Sequence, residues 1–467
     1  MKQIRQISPI GLISLSSLLL TSCAIFAPEE RTELNNNVPE QFSLYSETVD
    51  TTNRWWESFQ SLELNALIDE ALTNSPTIQQ AWARLAQAEA FAIQAGAARY
   101  PTLGYDGSAG VRKDSINYKT TEAYSLGLNA SYEVDLWGRI RSQTEAAALD
   151  RDASREQLNT AAITLASQTA MSWVGIVSQR LQTEVIHKQL EANQTSLELI
   201  ELRFRKSLAT ALDVYQQRQT VAGTQSRIPL AELREELLHN GLAALLGRVD
   251  FQSLEIPDEP LPTLGALPAL GIPADVLANR PDVRQAGLKL QSADWRVSAA
   301  RADRLPAIRL TGSGNYQNAD ISNLFDDWFA KLVGSVTGPI FDGGRRKAEV
   351  DRTRAVVDER LAAYRETVIN AIKEVEDALV SEQKQRDYIT LLDERLEAAT
   401  RSYEEAVNRY RNGLVEYTTV LVQLTPLQAL ERDRVEAQFN LIRYRIDLYR
   451  ALGGSWPGEL GEPQRSE

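Results

Sequence analysis

Cys23 is the only cysteine in 467 residues, and its thiol is the side chain best placed for covalent chemistry. It follows Leu20-Thr21-Ser22, behind an apolar run from Ile10 to Leu20 that Lys2 and Arg5 precede. Basic residues, a short apolar stretch and small residues form the pattern of a cleaved export signal, and the run is too short to span a bilayer. A lone cysteine excludes an internal disulfide and a cysteine-rich metal site. His187 and His239 are the only histidines; they stand far apart, carry no paired ligand motif, and are expected at solvated helix positions. Gly343-Gly344-Arg345-Arg346-Lys347 lacks the Gly-x4-Gly-Lys-Ser/Thr spacing of a phosphate loop and reads as a strand-to-helix turn. Carboxylates are plentiful but fall along long helical stretches at solvated spacing, and no Ser/His/Asp set is evident. The chain is therefore expected not to be an enzyme, and to need no metal or cofactor.

The formal charge of −13 points the same way. Loss of Lys2 and Arg5 with the signal leaves −15 (−13 minus 2). Phosphate binding needs clustered Lys and Arg, so a nucleic-acid partner is excluded. No apolar stretch of helix-spanning length follows the N-terminus, so no transmembrane helix is expected in the mature chain.

The elements that would position anything else are written twice. Asn74-Ser75-Pro76 matches Asn279-Arg280-Pro281, and Ala98-Arg99-Tyr100-Pro101 matches Asp303-Arg304-Leu305-Pro306. Arg203-Phe204-Arg205-Lys206-Ser207-Leu208 matches Arg409-Tyr410-Arg411-Asn412-Gly413-Leu414, and Leu246-Gly247 matches Leu452-Gly453. Four matches in order, with the offset drifting from 205 to 206, indicate duplication. In each copy a helix starts at Pro76 or Pro281 and ends before Arg-x-Pro. Two strands, a very long helix, a short break and a return helix ending at Gly follow. The layout is a signal over 1–22, a lipid anchor and extended segment over 23–60, and a first repeat over 61–248. A Pro-rich connector over 249–272, a second repeat over 273–455 and a tail over 456–467 complete it.

From Ser125 to Leu136 apolar and polar residues alternate strictly. A strand of roughly ten residues with one face of each kind suits a tilted transmembrane β-strand, lipid on one side and water on the other. Its partner spans about Thr102 to Val111, and the second copy repeats the pair at about Ile308 to Tyr316 and Phe329 to Ile340. A soluble amphipathic sheet shows the same alternation. Open edges are not tolerated in lipid, however, and four strands cannot close a barrel. Three chains of four strands would close one of twelve, so membrane strands here imply a homotrimer.

No proline lies between Arg139 and Lys206, or between Arg345 and Pro426. Each stretch holds a helix of about 65–70 residues, roughly 100 Å long. In the second, Val357, Leu361, Tyr364 and Val368 step by 4, 3 and 4, and Val368, Ile372, Val375 and Leu379 repeat the steps. That eleven-residue period keeps a helix nearly straight, as staves of a wide cylinder must be; a plain coiled-coil rod is the alternative. Return helices are expected at about Leu212 to Leu246 and Thr418 to Leu452, with Pro229 and Pro426 kinking or interrupting them.

Together these residues resemble a family. Leu20-Thr21-Ser22-Cys23 is similar to a bacterial lipobox. The paired Asn-x-Pro and Arg-x-Pro motifs, Leu136-Trp137-Gly138-Arg139, Phe341-Asp342-Gly343-Gly344-Arg345 and Asn279-Arg280-Pro281-Asp282-Val283-Arg284 resemble the TolC-like outer membrane factors, in their lipid-anchored efflux branch. The resemblance covers about residues 55–455. It implies a mainly α chain with a membrane β-barrel portion: a homotrimeric twelve-stranded barrel continued by a long periplasmic α-helical barrel. It implies diacylglycerol and an N-acyl chain on Cys23, with Ala24 favouring the outer membrane. It implies a periplasmic adaptor and an inner-membrane pump as partners, and passive conduction of drugs or other small solutes. A duct for type I protein secretion is the alternative, and a non-conducting lipid-anchored tether is the rival of another class. The implied entrance lies at the turns Lys206, Ser207, Leu208 and Asn412, Gly413, Leu414, where the adaptor would dock. Relatives place a carboxylate ring where Thr419 and Val422 stand; neither is acidic, and Asp213 occupies the first-copy equivalent of Thr419. Arg409 and Tyr410 match a position that latches neighbouring hairpins, with simple helix packing as the alternative.

Overall fold

The computed structural model describes residues 28, 39, 42, 54–116, 118, 120–267, 273–454 and 456–461. The signal, Cys23 and the end of the connector lie outside them. Two compact units are present. The first holds Arg84–Arg155 and Gln285–Glu366; the second holds Asn37–Ala83, Glu156–Arg284 and Thr367–Glu467.

Both repeats unfold in the expected order. The first gives α1 (Leu62–Asn74), α2 (Pro76–Ala97), β1 (Thr102–Lys113), β2 (Thr120–Val134), α3 (Arg139–Arg205), α4 (Ala211–Gln225) and α5 (Ile228–Leu245). The second gives α6 (Pro273–Asn279), α7 (Pro281–Ala302), β3 (Ala307–Asn318), β4 (Trp328–Thr337), α8 (Arg345–Arg411) and α9 (Tyr417–Leu452). Proline opens α2 and α7 because the first helical turn needs no N–H at that position.

In the first unit the four strands form one antiparallel sheet in the order β1-β2-β3-β4. The central β2–β3 pairing, Tyr124 opposite Asn318 through Val134 opposite Ile308, joins the two repeats. β2 and β4 stop short of expectation. β2 stops at Val134, because Asp135 turns away to cap α3. β4 stops at Thr337, where a Cβ on Gly338 would stand only 3.1–3.2 Å from Pro306 and Pro339 has no N–H to continue the ladder. Below the sheet, Leu290, Ala293 and Val297 of α7 bury against Val357 of α8.

The second unit is helical. α3 and α8 are 67 residues each. Along α8, Val357 in the first unit and Val368 and Leu379 in the second, eleven apart, are all buried, which is the stripe the period demanded. Pro229 breaks the first return helix into α4 and α5, whereas α9 runs through Pro426 without interruption. The acceptor that Pro426 leaves unbonded is the carbonyl of Val422, an exposed residue, where solvent can take the place of the lost N–H.

The segment 23–60 is not wholly extended. Trp55–Phe59 is a 3₁₀ turn whose Trp55, Trp56 and Phe59 are buried. Trp55 stacks on Tyr449 at 5.1 Å, and Trp56 meets Trp456 edge-on at 4.9 Å. The tail is likewise anchored, through Trp456 in a 3₁₀ turn to Glu459. Aromatic side chains bury large areas, and these clasp the two ends together. Polarity of the flanking residues hid this.

Candidate functional site

The sheet's faces follow from its register. Thr102, Gly104, Asp106 and Ser108 pair with Ser131, Asn129, Gly127 and Ser125. Those in turn pair with Thr311, Ser313, Asn315 and Gln317. Side chains of directly paired residues share a face, so this face is polar across β1, β2 and β3, and β4 adds Val333, Lys331 and Phe329 to it. The other face carries Leu103, Tyr105, Leu126, Leu128, Leu310, Trp328, Leu332 and Val336, all exposed in the single chain. Large apolar residues facing outward along four strands have no soluble rationale. On the polar face Asn129 donates to Asp106 at 2.9 Å, and Arg309 and Arg139 both pair with Glu133. Among the described residues nothing pairs with the outer edges of β1 and β4.

Both strand-to-helix turns are capped by the same device. Asp135 accepts from the backbone N–H groups of Ile140 (2.9 Å) and Arg141 (2.7 Å). Asp342 accepts from Gly344 (3.0 Å) and Arg346 (3.3 Å). A carboxylate there satisfies orphan donors and complements the helix dipole. Gly343-Gly344 thus serves as a turn, as expected.

The structure brings together two motifs that were separate in sequence. Gly247 (φ +77°) ends α5 against the first Asn-x-Pro, with Asn74 O only 2.7 Å from where a Cβ would stand. Gly453 (φ +79°) ends α9 against the second, near Asn279 O and Arg280. Arg280, buried, fixes this junction by donating to Asp282, to Glu374 (2.9 Å) and to the Ala451 carbonyl (2.9 Å). Its charge is held by both carboxylates against the cost of burial. A second buried pair, Arg445 with Glu382, also grips the connector through the Ala266 carbonyl (3.0 Å). His239, expected in solvent, lies against the Leu254 carbonyl at 2.6 Å; only the contact geometry of the connector could have revealed that.

At the tip, α3 and α8 end in matching turns. Leu208 N–H donates to Arg203 O (2.8 Å) and Ser207 N–H to Phe204 O (2.9 Å); Leu414 and Gly413 repeat this with Arg409 (2.9 Å) and Tyr410 (3.0 Å). This double bond requires a left-handed residue, supplied by Ser207 (φ +61°) and Gly413 (φ +74°). Lys206, Ser207, Leu208, Asn412, Gly413 and Leu414 are all exposed. Asp213 forms a capping box with Thr210: its carboxylate accepts from Thr210 N–H (2.8 Å) and its own N–H donates to the Thr210 hydroxyl (3.2 Å). The side chain is half-buried, while Thr419 and Val422 are exposed. Arg409 pairs with Glu405 on its own helix. Tyr410 is buried, 5.3 Å from the Tyr417 ring, with the Arg203 guanidinium 4.7 Å over its face. Burial pushes the Tyr410 and Tyr417 hydroxyls above the usual phenol range. Arg203 belongs to the first hairpin and Tyr410 to the second, so this cluster joins the chain's two hairpins.

Sequence reading missed a polar seam above that cluster. Asn193 donates to Thr224 (2.9 Å), Gln428 donates to Asn193 (3.0 Å), Gln217 donates to the Asn193 carbonyl (2.6 Å), and Gln189 donates to the Gln428 carbonyl (2.9 Å). All are buried. Gln182, Gln189 and Asn193 step by 7 and 4, so the same eleven-residue period carried this signal in amides. Among the described residues no cluster of His, Cys, Asp and Glu suits a metal.

The family profile described as outer membrane efflux protein matches residues 67–248 and again 272–454. The chain belongs to the outer membrane efflux protein family. The double match is the internal repeat, and it places the chain in the outer membrane as an efflux channel subunit with a helical periplasmic extension. The pyoverdine export outer membrane protein OpmQ of Pseudomonas putida is 32% identical over 428 residues, 87% of this chain and 89% of the relative. The cation efflux system protein CusC of Escherichia coli is 29% identical, covering 94% and 97%. Among solved structures, a CusC crystal structure superposes with a TM-score of 0.85 over 92% of this chain and 99% of that one, at 28% identity. The outer membrane protein VceC of Vibrio cholerae gives 0.82 over 87% and 99%, at 29% identity.

Proposed function

We propose that three copies of this chain form a passive duct that receives small solutes from an inner-membrane pump through a periplasmic adaptor. The observation that carries the reading is the sheet: four strands, a polar face, a lipid-compatible face and two open edges. Lipid tolerates no open edge, and three such sheets make a closed barrel of twelve strands. The polar face then lines the lumen. It offers Ser, Thr, Asn and Gly with a few compensated charges, a wall that wets and conducts, and the chain acts as a conduit and not as a catalyst. Cys23 carries the lipid anchor, and the clasp of Trp55 and Trp56 secures the segment that follows.

The entrance lies at the tips. Leu208 and Leu414, exposed at matched turns, are the contacts offered to the adaptor. Tyr410, held by Arg203 and Tyr417, latches the two hairpins of one chain. Asp213, three times around the axis, supplies the acidic ring while capping its own helix. Thr419 and Val422 line the same level without charge. The relatives named for pyoverdine export and cation efflux support small cargo.

The test is deletion in the native host with affinity capture of the tagged protein. Capture of an adaptor and a pump, with cargo accumulating in the deletion strain, is expected. Capture without either partner, and no change in cargo retention, would reject the reading.

A further inference from the structure

Within the second unit, α3, α5 and α9 surround a groove of about 590 Å³, a volume that suits a drug-sized ligand. Its floor is the α3 stripe of Gly175, Ser178, Gln182 and Ile186. Gly175 keeps that floor low: a Cβ there would stand 3.4 Å from Leu238 and 3.9 Å from Phe439. Leu230 and Leu237 form the α5 wall, and Phe439 stands on the α9 side. Leu230 and Leu237 are 58% and 61% exposed, so they offer apolar area to a concave space and not to a packed core. Arg180 lies about 140° around α3 from the floor stripe, at 100° per residue. It holds the connector by donating to the Ile256 and Pro257 carbonyls at 2.8 and 3.2 Å. The connector at that point therefore runs over another face of α3 and does not cover the groove.

The groove is also charged. Arg227, Arg234 and Arg432 reach it, together with Asp433 and Glu436. Among the described residues neither Arg227 nor Arg234 forms an ion pair within the chain. The Arg432 guanidinium donates to the Gln189 side-chain oxygen at 2.6 Å, an amide and not a carboxylate, while the Gln189 amide donates to Glu431 at 2.6 Å. Arg432 is half-buried, and its charge is disfavoured first by burial and then by Arg227, with Asp433 and Glu431 pulling the other way. Glu436 stands one turn beyond Arg432, and Arg234 two turns beyond Arg227, so acid and base share the far part of the groove. At the near end two arginines stand against Asp433 alone. α5 begins there with proline in its first turn and no side chain capping it, so the positive end of its dipole adds to the arginines.

We propose that this groove binds a soluble amphiphilic anion of drug size, its sulfonate, carboxylate or phosphate group between Arg227 and Arg432 and its apolar body along Leu230, Leu237 and Phe439. Arginine suits such head groups because its planar fork donates two parallel N–H bonds. The leucines and the phenylalanine remove the apolar body from water. Every lining residue belongs to one chain, so the site stands whether or not three copies close a barrel.

The test uses the full-length protein in lipid nanodiscs, with empty nanodiscs as the reference. Two fluorescent probes share one apolar body: 8-anilino-1-naphthalenesulfonate and the uncharged N-phenyl-1-naphthylamine. The sulfonate should occupy one saturable site per chain with a Kd of about 10–100 μM, and should bind about tenfold or more tightly than the uncharged probe. Arg227→Gln, at an exposed position, should weaken the sulfonate about tenfold and leave the uncharged probe unmoved. Leu237→Gln, also exposed, should weaken both. Arg218→Gln removes an arginine that pairs with Glu201 outside the groove and should change neither. Sulfonate binding that is absent, that Arg227→Gln leaves unchanged, or that the uncharged probe matches overturns the proposal. So does a phospholipid that native mass spectrometry finds in one copy per chain and that the sulfonate does not displace.

Discussion

Replacing Gly247 by alanine isolates the junction on which each repeat turns. Gly247 has φ +77°, and an added Cβ would stand 2.7 Å from the Asn74 carbonyl and 3.2 Å from Pro76 Cδ. That carbonyl already accepts from the Gln79 amide at 3.2 Å, so it cannot swing aside freely. The left-handed backbone costs an alanine about 1–2 kcal/mol, and overpacking against fixed backbone adds about 1–3 kcal/mol. The sum is about 2–5 kcal/mol. Gly223→Ala is the control: a Cβ there meets nothing within 4 Å and a helix interior gains about 0.5–1 kcal/mol from alanine. Urea midpoints of the detergent-purified protein, followed by far-ultraviolet dichroism, should fall for Gly247→Ala and rise for Gly223→Ala. A Gly247→Ala protein within about 0.5 kcal/mol of the parent would refute the claim that Asn-x-Pro and Leu-Gly are two halves of one contact.

Ser207→Gly should stabilise the first tip turn by up to about 1 kcal/mol, because serine is held there at φ +61°; a lower thermal midpoint would contradict it. Glu382→Gln should cost about 3 kcal/mol, since it leaves Arg445, 2% exposed, without its carboxylate, and limited proteolysis should then cut the connector near residue 260; a connector as resistant as the parent's would show that the pair does not hold it. Asp447 sits on α9 with its carboxyl pushed above the usual range, first by burial, against the pull of Arg450 and Arg443. A raised folded value favours the protonated form, so its contribution is most favourable in acid and is lost as pH rises through that value. Asp447→Asn should therefore raise the midpoint at neutral pH and lose that advantage below about pH 4; a pH-independent effect would show that burial of the charge is not the cause.

Much of the architecture was legible because it is periodic. Strict alternation around Leu126 and Leu128 set the strands, the eleven-residue step through Val357, Val368 and Leu379 set the long helices, and the Asn-x-Pro and Leu-Gly matches set the repeat. Where legibility failed, the cause was tertiary. Trp55 and Trp56 sit among polar residues, and nothing local announces that Tyr449 and Trp456 will cover them. Pro229 breaks its helix and Pro426 does not, although both are internal prolines; the carbonyl of exposed Val422, which water can serve, marks the tolerated one. At the tip, the repeat marked where the long helices turn, but only the structure shows that the Asp213 carboxylate is engaged with Thr210, and that Tyr410 bridges two hairpins of one chain. The polar seam through Gln189 and Asn193 was hidden because amides on a helix read as solvated faces unless a partner helix is known.

The central claim is that three of these chains close a conducting barrel. Single-channel recording in a planar bilayer, on a preparation whose mass is fixed by native mass spectrometry, tests it most directly. The account predicts a three-chain species that opens discrete ohmic conductance steps. A one-chain species, or a trimer that inserts and passes no current even after the Tyr410 latch is removed by Tyr410→Ala, would contradict it.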